Sequence, residues 1–400
     1  MLLNQLILFI LQLLALFAGG FFSSLGAVTK TITPADNLAA NIEMLQPGDT
    51  LILRGGHYPG LDSNSVRFPS GNSWSDAPRI QAFQGETVIL GGTNIAAPSG
   101  TGQSSIRYII FDGINFVPSS GQDGLSFWGA ANHIRLTNFS AHGARVGKLG
   151  INLQPGPGGG GFNEFINGKV YDNTGANFGG TPTSGTTAHG MYVGSFNNLI
   201  ERVEFYGNGH LGLQCYSDKV APSNNIIRNC IFHNNGVTYT TSGAGVTIGG
   251  GSGNQVIDST IFNERGGIWV CCSSPAGQPS GTLIQNNKLY NNVDFDIYIQ
   301  SGSGTIVKDN CLNTSKIINN GSGTTLQNNS QTACSGGSST TSQTTVDPVT
   351  LVQPQQQQPS YSDYPSSPSS TSQPSGPSTS QVSAPFLIAG VILAALVLGD

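Results

Sequence analysis

The chain has 400 residues, of which 55 are Gly, 21 are Pro and only 9% are charged, and its formal net charge is −5. That balance is unlike an ordinary cytosolic enzyme, and the lack of a basic patch argues against a nucleic-acid partner.

In chain order, Leu2 to Phe22 is an almost unbroken apolar run followed by the small residues Ser23, Ser24, Gly26 and Ala27. Residues 1–27 therefore read as a secretory signal, although a positively charged start is missing. Thr33 to Leu45 carries apolar residues at helical spacing behind a capping-type Thr or Asp, which predicts a short amphipathic helix. Such a helix is the natural cover for the first coil of a solenoid. Gln46 to Leu53, Gly55 to Gly60 and Ala77 to Gly91 then read as short strands and turns.

A cadence follows. Asn198 to Phe205, Asn225 to Phe232, Asn254 to Phe262 and Thr282 to Leu289 are short apolar strands, and Gly-led strands such as Gly190-Met-Tyr-Val and Gly267-Ile-Trp-Val alternate with them. Aligned on Gly124, Gly150, Gly190, Gly212, Gly245 and Gly267, the steps are 26, 40, 22, 33 and 22 residues, a unit near 22 with insertions. The longest step comes from a Gly-rich insertion, Pro155 to Thr187. Repetition at this period, with β-branched residues and turns of Gly and Asn, predicts an all-β solenoid of stacked parallel coils, a β-helix, over residues 28–334.

From residue 335 the composition shifts to Ser, Thr, Pro and Gln, which predicts an extended stalk over 335–383. Residues 384–400 form a hydrophobic tail too short for a comfortable membrane span. Small residues, a polar spacer and a short apolar tail match a glycolipid-anchor signal with attachment between Pro368 and Ser380; a tail-anchored helix is the alternative. The expected setting is thus the cell surface, with a monomer held to the membrane by a C-terminal lipid. Sequons at Asn138, Asn313, Asn320 and Asn328 are compatible with export. All six cysteines lie in the later half, and Cys311 with Cys334 would staple the last coil. No CxxC spacing points to structural zinc.

The run Pro-Gly-Asp-Thr-Leu-Ile-Leu, Gly-His-Tyr-Pro-Gly, Ala-Pro-Arg-Ile-Gln-Ala and Gly-Glu-Thr-Val-Ile-Leu-Gly-Gly, between Pro47 and Gly92, resembles the opening coils of the pectate-lyase-like superfamily of β-helix proteins. With the later coils the resemblance spans about residues 30 to 334; it implies a right-handed parallel β-helix and suggests a secreted, glycolipid-anchored protein of fungal type. It implies activity on acidic polysaccharide, in a superfamily that includes lyases, hydrolases, epimerases and noncatalytic binders. Three signatures of its enzymes are missing: the Asp-Asp pair of polygalacturonases, for which Gly121-Gln-Asp-Gly124 is no substitute, the Arg-x-Pro-x-x-Arg of the best-known pectate lyases, and the Asp-Pro-His of alginate epimerases.

Alternation along the Gly-led strands assigns inward pairs such as Leu125/Phe127, Met191/Val193 and Ile297/Ile299, and an outward column Ser126, Asn152, Tyr192, Gln214, Thr247, Trp269 and Tyr298. Polar groups beside Tyr and Trp suit sugars, so Asn152, Gln214, Thr247, Trp269 and Tyr298 are candidate substrate-binding residues. His142, His189 and His210 are assigned to turns feeding three consecutive copies of this strand, with Arg145 and Lys148 in the first turn and the insertion as a wall. His189, Tyr192, Lys148, His210, Arg145 and His142 are therefore the candidate catalytic residues.

Those groups suit β-elimination at C5 of a uronic acid, with a histidine or Tyr192 as base, Lys148 or Arg145 neutralising the carboxylate, and another histidine or Tyr192 as acid. The expected activity is a polysaccharide lyase. Its rivals are a noncatalytic cell-wall binding or adhesion protein and an inverting hydrolase, which needs two flanking carboxylates; Glu201 and Glu204 are expected to face away from the cleft. His57 is expected in a cap turn, and His133 and His233 in turns between coils without charged company. Ca²⁺ is a cofactor that many lyases of this fold use, and Asp294, Asp296 and Asp309 form a loose acidic group away from the histidines.

Overall fold

The structure is a computed structural model that describes residues 26–330 except 64, 97–104, 120, 146, 156–159, 174–187, 237–242, 273 and 313–315. The chain divides into two units, Met1–Pro359 and Ser360–Asp400, and every described residue lies in the first. The segments read as a signal (up to residue 25), a stalk and an anchor tail, together with Cys334 and the sequon at Asn313, fall outside the described residues. Among the described residues no helix is long and apolar enough to cross a membrane.

The described residues wind into a parallel β-helix with three faces. Strands such as Ile226–Arg228, Gln255–Ile257 and Leu283–Gln285 stack on the first face, and Ile231–His233, Thr260–Phe262 and Lys288–Tyr290 on the second. The third is a nine-stranded sheet of Thr93–Ala96, Leu125–Gly129, Ile151–Pro155, Met191–Val193, Leu213–Cys215, Ala244–Ile248, Gly266–Val270, Phe295–Ile299 and Ile317–Asn319. Sequence repeats thus become vertical neighbours: Tyr192 pairs with Asn152 below and Gln214 above.

Single residues make the corner between the first two faces. Asn229, Asp258, Asn286 and Asp309 all sit at φ between 52 and 57°, the left-handed region that short polar side chains tolerate. The glycines leading the third-face strands answer a different demand, close approach. A Cβ on Gly150, Gly190 or Gly212 would stand 2.6 Å from the carbonyl oxygen of the next rung's glycine.

Inward side chains fill the tube. Leu125, Ile151, Met191, Leu213, Val246, Ile268 and Ile297 are all fully buried on the third face, as the alternation predicts. Buried asparagines line the corners, and each ladder answers backbone N–H groups that the turns leave unpaired. In one ladder the Asn163, Asn198 and Asn225 amides donate to the side-chain oxygens of Asn198, Asn225 and Asn254 at 2.8–3.1 Å. A second runs through Asn173, Asn208 and Asn235 and then meets Glu264.

Two expectations change in detail. The covering helix is shorter than its spacing suggests, Leu38–Glu43, and Asn37 caps it by accepting from the Ala40 N–H at 3.0 Å. Asp36 instead accepts from the Thr33 backbone and hydroxyl, which ends the preceding strand. The insertion is not simply a loop: Glu164–Tyr171 within it is a strand that pairs with Ala131–Thr137 and Leu199–Tyr206 and completes a coil.

Candidate functional site

The outward column of the third face forms as the alternation predicts, running Asn94, Ser126, Asn152, Tyr192, Gln214, Thr247, Trp269 and Tyr298. It does not make one open floor. Ser126, Asn152 and Tyr192 are at most 7% exposed, and Gln214 and Thr247 are fully buried, whereas Trp269 and Tyr298 are half-exposed. The middle of the column therefore lies within the packed body. The expected wall falls partly on residues 156–159 and 174–187, outside the described residues.

Around the open end the rings gather. Phe295 lies 6.5 Å from Trp269 and 5.4 Å from Tyr298, centroid to centroid. Gly266 makes this arrangement possible, because a Cβ there would meet the Phe295 ring at 2.2 Å. Amides surround the rings: the Trp269 indole N–H donates to Gln300 at 3.0 Å, and the Asn320 amide donates to the Tyr298 hydroxyl at 3.4 Å. Phe295 was missed from sequence because its position in the strand is held by Gly266 one rung earlier, so no aromatic column announces it.

His189 and His210 come together on consecutive rungs, with ring centroids 5.0 Å apart. His189 is fully buried and His210 half-buried; desolvation holds the His189 pKa well below its ordinary value, with the neighbouring His210 adding to the effect. Desolvation alone lowers His210 to about 4, so both rings are neutral at physiological pH. His189 Nδ1 accepts from the Leu211 backbone N–H at 3.4 Å, which leaves the proton of the neutral ring on Nε2. Lys148 N–H donates to Arg145 O at 2.9 Å in a turn ahead of Ile151–Pro155, and both side chains are half-exposed. The strand pairing aligns Lys148 with Ala188 and then His210.

His142 does not join them. It lies in the strand Ser140–His142 on the second face, where it begins a continuous stack with Tyr171, Tyr206, His233, Phe262 and Tyr290 at centroid spacings of 4.6 to 5.2 Å. Reading it as a turn residue missed that the corner residue Asn138 ends the first-face strand, so His142 falls within the second. His233 also has charged company, because its Nε2 is 3.1 Å from Glu204. His133 is within a strand and stacks on Phe162 at 5.0 Å. Glu201 and Glu204 sit on the strand Leu199–Tyr206, off the third face, where Glu201 pairs with Arg228 and Arg202, and Glu204 with Lys169.

Asp123 is the polar group the sequence reading set aside. Its carboxylate accepts from Ser126 Oγ at 2.9 Å, Asn152 Nδ2 at 2.8 Å and the Leu149 N–H at 2.9 Å. Aligned on the strand glycines, Asp123 and His189 share an offset, and both accept from a backbone N–H of the next rung. That shared offset was a legible signal. The acidic group Asp294, Asp296 and Asp309 does not converge: Asp294 pairs with Arg265 at 2.7 Å, Asp296 is buried and accepts from Asn292, and Asp309 belongs to the corner between the other faces. Among the described residues no three His, Cys, Asp or Glu side chains gather as a metal site.

Comparison with known proteins bears on the fold. The family described as right handed beta helix region matches residues 95–275 and 159–346. Comparison with curated protein sequences finds no match. Among solved structures, pectate lyase Pel9A superposes with a TM-score of 0.54 at 17% identity, over 76% of this chain and 79% of that one. A mannuronic acid specific polysaccharide family 6 lyase from human gut microbiota gives 0.43 at 14% identity, over 75% and 79%. The Azotobacter vinelandii mannuronan C-5 epimerase AlgE4 A-module gives 0.38 at 14%, over 72% and 91%; neither of these two is close enough to argue from. At such identities the likeness to Pel9A concerns the fold, which is right-handed and pectate-lyase-like. With its two family matches together spanning residues 95–346, well over half of its length, the chain belongs to the right-handed β-helix family.

Proposed function

We propose that this protein recognises a polysaccharide at the late end of its third face. The observation that carries the reading is the half-exposed trio Trp269, Phe295 and Tyr298 on adjacent rungs, edged by the amides of Gln300 and Asn320. Ring faces offer apolar contact to the C–H faces of a sugar, while the amides offer donors and acceptors to its hydroxyls. The cell-surface setting and the lipid anchor belong to this proposal, and the bridge between Cys271 and Cys272 supports an oxidising compartment.

β-Elimination on a uronic-acid polymer is the second reading, and the observation that favours it is the neutral His189 and His210 pair. A neutral imidazole can take the C5 proton, and Lys148, aligned with this pair, could neutralise the substrate carboxylate. A polymer would have to reach the fully buried His189 past a half-buried His210, which makes this the weaker reading. Its relation to a pectate lyase in fold adds a prior and no residue.

One panel separates the readings. The full-length protein is incubated with polygalacturonate, alginate and a neutral glucan while ultraviolet absorbance of an unsaturated product and retention on each immobilised polymer are followed. Retention without new absorbance supports binding; absorbance that vanishes in His210→Ala supports the lyase. Failure to retain any polymer overturns the proposal.

A further inference from the structure

Resting on the polysaccharide reading of the third face, we infer that the disulfide between Cys271 and Cys272 is a redox latch that holds the aromatic end of that face in its binding shape. The bridge joins adjacent residues immediately after the strand Gly266–Val270, which carries Trp269. It closes a small ring around the peptide unit between them and so fixes the direction in which the chain leaves the strand.

Two consecutive residues of the next rung tie this corner to the tryptophan. Ser301 Oγ–H donates to Cys272 O at 2.9 Å, and Gln300 N–H donates to Val270 O at 2.7 Å. The side chain of the same Gln300 accepts the Trp269 indole N–H at 3.0 Å. From the rung below, Ile248 O accepts the Cys271 N–H at 3.0 Å. Corner, strand end and Trp269 are therefore one hydrogen-bonded unit. Cys272 sits at φ +69°, a backbone state in which its Cβ is crowded. As free thiols the two residues lose the ring that holds Cys272 there, and a return to ordinary φ carries its carbonyl away from Ser301 and loosens Gln300 from the indole.

Access and chemistry agree with a switch. Cys271 is fully buried but Cys272 is half-buried, so an incoming thiolate meets the Cys272 sulfur. With a dithiol such as dithiothreitol as reductant, its thiolate attacks Cys272 Sγ, the S–S bond breaks, and Cys271 leaves and takes a proton. The second thiol of the reductant then displaces Cys272, so two cysteine thiols and one oxidised reductant result. Cys215 and Cys230 do not compete as internal attackers, because both are buried and desolvation pushes their thiols up to about 12.

The test uses the full-length protein, oxidised or treated with dithiothreitol, on immobilised polygalacturonate and alginate, together with tryptophan emission. The chain has three tryptophans, so Trp269→Phe assigns the signal. Reduction is expected to weaken retention about tenfold and to shift the Trp269 emission. The double variant C271S/C272S, checked for folding by its melting curve, is expected to resemble the reduced protein and to ignore dithiothreitol even though Cys311 keeps its own bridge. Equal retention and unchanged emission in the two redox states overturn the latch. If the oxidised protein retains neither polymer, the polysaccharide reading is what fails, and the emission shift by itself then decides whether the bridge controls Trp269.

Discussion

The middle and the late end of the third face share one strand pattern and differ in what surrounds it. In the middle, Tyr192, Gln214 and Thr247 point outward from the sheet and are nevertheless buried, with His189 and His210 alongside. At the late end, Trp269 and Tyr298 occupy the same column and remain half-exposed. Strand alternation decides which side of a sheet a residue takes; it does not decide whether that side meets solvent. A column of suitable side chains is therefore a binding surface only where it is open, and the two regions should respond to substitution in opposite ways.

The largest effect is expected where the coil itself is attacked. Asn208 is fully buried; its amide donates to Val170 O at 3.0 Å and to Asn235 at 2.8 Å, and its side-chain oxygen accepts from the Asn173 amide at 2.9 Å. Asn208→Ala strands donors and an acceptor without solvent, a loss of roughly 3 kcal/mol or more. Urea denaturation measures it. A variant that melts like the parent would show that the ladder beside the buried middle is not what holds it together.

Next comes Glu264, a carboxylic acid in a ladder otherwise made of amides. It accepts from Asn235 N–H and Nδ2 at 3.1 and 2.6 Å, and its own N–H donates to Asn292. Desolvation raises its pKa to about 8, against the opposing hydrogen bonds from Asn235. The folded protein thus keeps a proton that the unfolded chain releases in the ordinary carboxylate range. Stability from this group is whole below about pH 4.3 and is lost as pH rises through about 8. Glu264→Gln is expected to flatten that loss, worth about 2 kcal/mol or more between pH 5 and 9, in melting curves recorded across pH. An unchanged slope would locate the titration elsewhere.

Much of this architecture was legible before any coordinates. Glycines at recurrent offsets predicted the rungs, and the inward pairs from Leu125/Phe127 to Ile297/Ile299 are buried as alternation requires. The meeting of His189 with His210 also followed from offsets alone. What escaped depended on which residue turns each corner. Asn138 at φ 52° ends the first-face strand, and only that fact places His142 on the second face, away from the other two histidines. Asn198 and Asn225 read as the openings of two strands; the residues in the left-handed state are Asn197 and Asn224, one position earlier, and Asn198 and Asn225 are ladder rungs buried ahead of strands that begin at Leu199 and Ile226. The burial of Tyr192 and Gln214 was illegible because alternation assigns a side of the sheet and carries no information on what lies beyond it.

Trp269→Ala and Tyr192→Ala put the contrast to a direct test. Removing the half-exposed Trp269 should cost roughly 1–2 kcal/mol of polysaccharide affinity, read as a five- to thirtyfold weaker retention, with little change in melting. Removing the buried Tyr192 should do the reverse, lowering stability and leaving retention intact. If Tyr192→Ala instead abolished binding in a stably folded protein, the covered middle would have to open for the polymer, and the lyase reading would gain the ground that the open end loses.

The smallest effect is expected at His142, and it tests whether stacking alone accounts for that residue. His142 contributes one terminal ring to the second-face stack, 4.6 Å from Tyr171 with an interplanar angle of 16°. Burial lowers its pKa from the ordinary histidine range, so near neutral pH it stacks as an uncharged ring. His142→Ala should therefore cost only about 0.5–1.5 kcal/mol in stability and leave retention and any elimination activity untouched. His142→Phe should recover most of the loss, because the ring is what the stack uses. A change in activity that Phe does not rescue would mean that the imidazole acts chemically from the second face, and the division between a structural face and a functional one would no longer hold.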